Sequence, residues 1–393
     1  MSQDLKNLPL PPGIRSRFLS NGNGLEMHVL EAGYESAERP CLLLLHGFPE
    51  LAYSWRKIMI PLAAAGYHVL APDQRGYGRT TGWTEGYSDD LAEFGVLNLV
   101  KDAVGLVEAA GHRQVAAVIG HDCGSPVAAW CAMTRPDVFQ SLVLMSAPFG
   151  GLRPQVSSTE EWSSINEVRK IARGAIASVL RELSRLDPPR KHYQWYYSTR
   201  EAAFDMLNAP QGLHAFLRGY FHIKSADWDK NHPYPLASFS ASELAKLPAY
   251  YVMREDETMA QVVMRLAPEV HEMAGCEWLS DDELRIYVQE YSRTGFQGGL
   301  QWYRCATDSK YVARLSAWID HTVNVPSIFI AGEQDWGIYQ KPSEFEAMPG
   351  CACTRMLNVH LVEGAGHWVQ QEKPDAVVRL LISFLETVCI NSN

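Results

Sequence analysis

Gly120-His121-Asp122-Cys123-Gly124 constrains this chain more than any other stretch. It follows an apolar run, Val115-Ala116-Ala117-Val118-Ile119, and precedes a helical pattern from Pro126 to Met133. Strand, Gly-bounded turn, helix is the setting of a nucleophile elbow, where one side chain is raised at the edge of a sheet. Ser usually stands at the tip; here it is Asp122. A carboxylate displaces at saturated carbon and forms an alkyl-enzyme ester. The swap points away from esterases and lipases, and toward opening of epoxides or displacement of halides. The plainer reading of Asp122 is a helix N-cap, which its position also suits.

The surrounding pattern supplies a sheet for such an elbow. A hairpin opens the chain, with strands at Arg15–Ser20 and Leu25–Glu31 joined by Asn21-Gly22-Asn23-Gly24. Cys41-Leu42-Leu43-Leu44-Leu45 is apolar throughout, as a strand buried on both faces must be. A helix over Glu50–Ala65, a strand at His68–Pro72, a helix at Leu97–Ala110, the elbow strand Val115–Asp122, a helix at Ser125–Thr134 and a strand at Ser141–Ser146 follow. This alternation predicts an α/β fold with a mostly parallel central sheet flanked by helices. It stops after Pro148, and helical, aromatic-rich sequence runs to about Asn324. It resumes with strands at Ser327–Ala331 and Leu357–Glu363 and a helix at Pro374–Val388. The expected organisation is a core of residues 1–148 and 325–393 with a large helical lid, 149–324, inserted after the sixth strand.

Composition excludes other classes. The net charge is −10, and no run of five basic residues occurs, so a nucleic-acid partner is not expected. No stretch reaches the roughly 18 apolar residues of a membrane span, and Met1–Arg15 does not read as a signal peptide. Cytoplasm is the default localisation. The eight Cys are scattered and read as reduced thiols. Cys351 and Cys353 are spaced for a metal but lack flanking partners, and no metal is expected.

A nucleophile at a strand end needs a base to activate water and an acid to orient that base, in the chain order nucleophile, acid, base. Gly332-Glu333-Gln334-Asp335 follows one late strand, and Gly364-Ala365-Gly366-His367-Trp368 follows the next. Both lie beyond carboxyl ends of strands, where open α/β sheets gather their chemistry. His367 is the expected base. Asp335, at the loop tip, is preferred over Glu333 as the acid. The backbone N–H groups of Cys123 and of Phe48, in His46-Gly47-Phe48-Pro49, are the expected oxyanion donors. Gly76-Tyr77-Gly78-Arg79-Thr80 is read as a tight turn and not a dinucleotide site, because it lacks the third Gly at the right spacing.

Together, His46-Gly47-Phe48-Pro49, Gly76-x-Gly78-x-Thr80, Gly120-His121-Asp122-x-Gly124 and Gly366-His367-Trp368 resemble the α/β-hydrolase-fold epoxide hydrolases, the soluble epoxide hydrolase-like family. The match runs from about Leu25 to Phe384. Members of that family carry two lid tyrosines that donate hydrogen bonds to the epoxide oxygen. The resemblance maps one onto Tyr193, in His192-Tyr193-Gln194-Trp195-Tyr196-Tyr197, with Tyr196 and Tyr197 as competitors. The other maps onto Tyr303, in Gly295-Phe296-Gln297-Gly298-Gly299-Leu300-Gln301-Trp302-Tyr303-Arg304. Phenols suit this task, because the alkoxide made by ring opening is a poor leaving group at neutral pH without a proton. Phe48, Pro49, Trp195, Phe296, Trp302 and Trp368 are the expected pocket residues.

The resemblance implies a small apolar epoxide as substrate, a vicinal diol as product and no cofactor; a homodimer stays open. The family commonly has Trp after the nucleophile, where this chain has Cys123. The lid is longer than the family's usual one, with the extra part expected around Asp227–Met264. Two other readings compete: a haloalkane or haloacid dehalogenase with the same Asp-His-Asp core, and a non-enzymatic small-molecule receptor on a hydrolase fold.

Overall fold

The computed structural model describes residues 7–152, 174, 176–269, 273 and 275–390. Parts of the expected lid, residues 153–173, 175, 270–272 and 274, lie outside the described residues. So do residues 1–6 of the N-terminal segment.

An eight-stranded sheet organises the chain. Its strands are β1 (Ile14–Ser20), β2 (Glu26–Ala32), β3 (Cys41–Leu45), β4 (His68–Pro72), β5 (Ala117–His121), β6 (Leu142–Met145), β9 (Ser327–Gly332) and β10 (Met356–Val362), in the spatial order β1-β2-β4-β3-β5-β6-β9-β10. β1 pairs antiparallel with β2, and β2 with β4; every later pairing is parallel. The Leu run of β3 lies centrally because both faces of this sheet are covered. Leu42 and Leu44 point into one core with Trp55, Ile58, Leu381 and Phe384, while Leu43 and Leu45 point into the other with Val100, Leu106 and Trp130. Each fully buried Leu contributes roughly 2 kcal/mol.

Helix α1 (Arg56–Ala64) and helix α8 (Pro374–Ile390) cover the first face, and α2 (Val96–Ala109) and α3 (Gly124–Thr134) the second. Local geometry shifts two predicted boundaries. The expected helix over Glu50–Ala65 is a tight turn at Ala52–Trp55 followed by α1, and Glu50 turns inward. The elbow strand stops at His121, because Asp122 has φ +50° and a strand cannot continue through the left-handed region.

All described elements between Met145 and Ser327 lie outside the large sheet. They include α4 (Tyr193–Tyr197), α5 (Leu213–Lys224), α6 (Asp281–Thr294) and α7 (Gln297–Thr307). The insertion expected as a helical lid also carries one short ribbon. β7 (Arg190–His192) and β8 (Val252–Arg254) form an antiparallel ribbon, and β8 belongs to the stretch expected as extra lid. Among the described residues no helix is long and apolar enough to cross a membrane.

Candidate active site

The elbow is built from residues that could not carry larger side chains. A Cβ on Gly120 would overlap the Gly124 carbonyl, and one on Gly124 would overlap the carbonyls of Leu45 and His46. A Cβ on Gly47 would overlap the Asp122 side chain itself. These close approaches let the chain reverse in one residue and set Asp122 at the carboxyl edge of β5. The helix N-cap position is occupied by Cys123, without a side-chain cap, so the Asp122 carboxylate is not used to start α3. It accepts a hydrogen bond from the Phe48 N–H at 2.9 Å on Oδ1.

The three residues singled out around a nucleophile converge. His367 Nε2 lies 3.2 Å from Asp122 Oδ2. His367 Nδ1 lies 3.0 and 3.2 Å from the two carboxylate oxygens of Asp335. Asp335 is itself fixed, because its Oδ1 accepts the Gly337 N–H at 2.6 Å. Glu333, the alternative acid, is exposed. The Nε2 of His367 makes no aligned hydrogen bond among the described residues and faces Asp122 as an ion-pair neighbour.

Burial disfavours the Asp122 anion, but His367, Lys224 and His121 outweigh it and hold the carboxyl far below the ordinary carboxylate range. Burial and the Lys224 cation push His367 toward neutrality, yet Asp335 and Asp122 prevail and raise it to about 9. Each group thus favours the charged form of the other: the imidazole holds Asp122 ionised, and the two carboxylates hold His367 toward its protonated form.

Asp122 lines a cavity of about 610 Å³ together with Cys123, Val127, Trp130, Phe149, Tyr193, Trp302, Tyr303 and Ile338. Tyr193 Oη donates to Gln340 Oε1 at 3.0 Å and accepts from Gln194 Nε2 at 3.2 Å. Its ring packs 5.9 Å from that of Tyr303. Both phenols are pushed well above their ordinary pKa, first by burial and then by the Asp122 charge. The two competing tyrosines are engaged elsewhere: Tyr196 Oη donates to Asp205, and Tyr197 Oη donates to Tyr220.

The expected pocket needs correction. Trp302 lines the cavity, its indole N–H donating to the Arg75 carbonyl at 2.9 Å. Phe48, Pro49, Trp195, Phe296 and Trp368 do not line it. Phe48 sends its amide to Asp122 while its ring packs behind Tyr303, 5.7 Å between centroids. Trp195 sits two residues after Tyr193 on α4, roughly 200° around the helix, and packs on His192 instead. Phe296 stacks on Tyr291 at 4.3 Å, and Trp368 flanks the His367 ring at 4.6 Å while its indole donates to the Phe221 carbonyl. Cys123 lines the cavity, and its thiol faces the Tyr77 hydroxyl at 3.7 Å. Burial drives that thiol well above its ordinary pKa, which leaves it a filler and not a nucleophile.

Other residues pack around the site with no role assigned to them from the sequence. Glu50 and His121 form a fully buried pair, 2.5 Å apart, and His121 Nε2 reaches the His367 carbonyl at 2.7 Å. Gln370 and Gln371 both donate to Glu50 Oε1 at 2.9 Å. The His367 amide donates to the Lys224 carbonyl at 2.8 Å, tying the loop after β10 to the end of α5. Among the described residues no group of three His, Cys, Asp or Glu side chains is placed to hold a metal.

The site is therefore a buried carboxylate with a His–Asp pair at its side and two phenols facing the same cavity. Comparison with known proteins agrees with this chemistry. The α/β hydrolase fold family model matches residues 40–374. Epoxide hydrolase A of Mycobacterium tuberculosis is 32% identical over 379 residues, covering 95% of this chain and 98% of the relative. Epoxide hydrolase B of the same organism is 30% identical over 370 residues, covering 93% and 96%. Among solved structures, an epoxide hydrolase from an endophytic Streptomyces superposes with a TM-score of 0.72 at 27% identity, covering 96% of each chain. Epoxide hydrolase A of Mycobacterium thermoresistibile does so with a TM-score of 0.72 at 28% identity, covering 95% and 98%. With its elbow carboxylate, its His–Asp pair and this likeness along nearly its whole length, the chain belongs to the epoxide hydrolases of the α/β-hydrolase fold.

Proposed function

We propose that this enzyme opens an apolar epoxide to a vicinal diol through a covalent ester on Asp122. Residues 1–148 and 325–393 serve as the catalytic core and 149–324 as the lid. The observation that carries the reading is the pair of buried phenols, Tyr193 and Tyr303, lining the same cavity as Asp122. Asp122 attacks one epoxide carbon, and the C–O bond breaks toward the oxygen held by the two phenols, which supply its proton. His367, oriented by Asp335, then takes a proton from water. The hydroxide so formed adds to the ester carbonyl carbon. The Phe48 and Cys123 N–H groups receive the negative charge on oxygen. Collapse breaks the ester C–O bond; the departing oxygen takes the proton of the added hydroxyl and leaves as the diol, Asp122 is again a carboxylate, and the proton held by His367 passes to the phenolate.

A dehalogenase releases a halide, which needs no proton, so two buried phenols favour the epoxide. The receptor reading has nothing to recommend it, since the nucleophile, the base and the acid are all present and in contact. The eight thiols, all free, support a reducing, cytoplasmic setting.

Turnover of styrene oxide and a panel of aliphatic epoxides tests the activity. Single turnover in heavy-oxygen water tests the route. The expected result is an unlabelled diol in the first turnover and label in Asp122, because water attacks the carboxyl carbon. Label in the diol at once means direct attack by water and sinks the ester route.

Gly47→Ala provides an independent check on the elbow. Its Cβ would occupy the space of the Asp122 side chain, so the nucleophile must shift by a fraction of an ångström or more. Displacement of that size costs on the order of 10²-fold in rate. The expected outcome is a comparable fall in kcat, with the thermal unfolding midpoint as the control for a folding defect.

A further inference from the structure

Lys224 ends helix α5 and is 4% exposed. Its ammonium lies 5.0 Å from the ring centroid of Tyr251, 5.4 Å from Tyr220, 5.6 Å from Trp368 and 5.8 Å from Tyr250. Among the described residues no carboxylate forms an ion pair with it. A buried cation ordinarily sits against an anion. Here aromatic faces and the carbonyl end of α5 stabilise it instead. The difference matters electrostatically. A carboxylate partner would cancel the charge, whereas aromatic quadrupoles hold the ion in place and leave its field intact.

That field falls on the reacting groups. Trp368, one wall of the cage, flanks the His367 ring; Tyr251, another wall, packs 5.3 Å from Tyr193. The Lys224 carbonyl accepts the His367 amide, so the cation and the base belong to one rigid junction. The titratable groups around the cage are Asp122 from the end of β5, Asp335 from the loop after β9, and His367 and Glu372 from the chain after β10. Asp227 and Tyr220 lie on the α5 side, and Tyr250 and Tyr251 precede β8. Glu372 is engaged with the N–H groups of Ala226, Gly366 and Trp368. Asp227 accepts the Trp278 indole N–H. At His367 the cation opposes the pull of Asp335 and Asp122.

We propose that Lys224 is a positioning residue for the hydrolysis half of the reaction: its caged charge releases the proton from His367 once Asp122 has become an ester. Before attack, two carboxylates hold the imidazolium against one opposing cation. Ester formation removes the Asp122 charge. Asp335 alone then faces Lys224, the ring gives up its proton to solvent water, and it can act as a base on the attacking water. The alkylation step thus switches on the base for the next step. This inference rests on the roles proposed above for Asp122 and His367.

The test is the pH dependence of ester formation and ester breakdown, measured separately in single turnovers with acid-quenched intact-protein mass. In Lys224→Met the acid limb of breakdown should move upward by about one pH unit, giving roughly tenfold slower breakdown near neutrality and recovery at higher pH. The sign follows from removing a positive charge beside a group that must lose a proton. Ester should accumulate in Lys224→Met at neutral pH. Lys224→Arg keeps the charge and should leave the limb near its wild-type position. Lys224→Gln carries the same test should the Met variant fail to fold. A limb that does not move in the neutral variants, or a loss equal at every pH, overturns the proposal and leaves Lys224 a packing residue. Absence of any ester in the wild-type enzyme would instead overturn the underlying reading of the reaction, which the mass measurement distinguishes.

Discussion

Asp122→Ala forms no diol from an epoxide that the wild-type enzyme turns over, a fall of at least about 10⁴-fold. The substitution removes the only atom in the scheme that makes a bond to the substrate, and no neighbour replaces it. Glu50, a buried carboxylate, is committed to His121, Gln370 and Gln371, and Asp335 to His367 and the Gly337 N–H. Cys123 holds a thiol that burial keeps protonated. His367→Gln separates the two halves of the cycle. Its Asp122 still attacks, so each active site should gain the mass of one epoxide and then stall, because no base remains to activate water. Rapid-mixing mass spectrometry of the intact protein checks both variants. Steady turnover in His367→Gln, or diol from Asp122→Ala, would mean that another pair of groups performs the reaction.

The readable part of this site is the part carried by local backbone demands. The glycines at 120 and 124 mark a turn that larger residues would block, and the strand before and the helix after it follow from apolar pattern alone. Asp335 and His367 were legible because each directly follows an apolar strand, and parallel strands deliver their carboxyl ends to one edge. The Phe48 amide, proposed as an oxyanion donor and seen to donate to Asp122, followed from the same logic. Side-chain direction was not legible in this way. Phe48 and Trp368 stand next to reacting atoms in sequence yet turn their rings away from the cavity, because the same residues contribute a backbone amide or a flank to the site. The Glu50–His121 pair joins residues far apart in the chain, and neither stands in a pattern that signals the other. Lys224 is still less visible. One lysine at the end of an amphipathic helix reads as solvent-exposed, and only the arrival of Trp368 from the core and Tyr250 and Tyr251 from the stretch before β8 encloses it. The β7–β8 ribbon escaped for a different reason. Strands of three residues are too short to show a period.

Replacing both phenols removes the proton supply without touching the nucleophile. Tyr303→Phe should slow ester formation by about 10²-fold and the Tyr193→Phe, Tyr303→Phe double variant by about 10⁴-fold, within the usual range for general acids. Each single variant leaves one donor, which is why the double loss is much the larger. The elevated pKa of the two groups does not impair them. An alkoxide is a base comparable to hydroxide, whose conjugate acid water has a pKa of about 15.7, so a phenol well above its ordinary range still donates to it. The same elevation means that neither phenol ionises as pH is raised toward 10. Loss of activity on the alkaline side below that point must come from other groups. The single variants should differ in a further respect. Tyr193 is tied to Gln340 and Gln194, whereas Tyr303 is held by the rings of Phe48, Tyr193 and Tyr197. Tyr193→Phe therefore strands a buried Gln340 carbonyl oxygen, at a cost of about 1–3 kcal/mol, and should lower the unfolding midpoint where Tyr303→Phe does not. Once an ester has formed by prolonged incubation, its breakdown in either variant should proceed at the wild-type rate, because His367, Asp335 and the Phe48 amide are untouched. Slowed breakdown would show that the tyrosines also serve the water-activating step, and equal rates of ester formation in the double variant and the wild type would remove them from the mechanism.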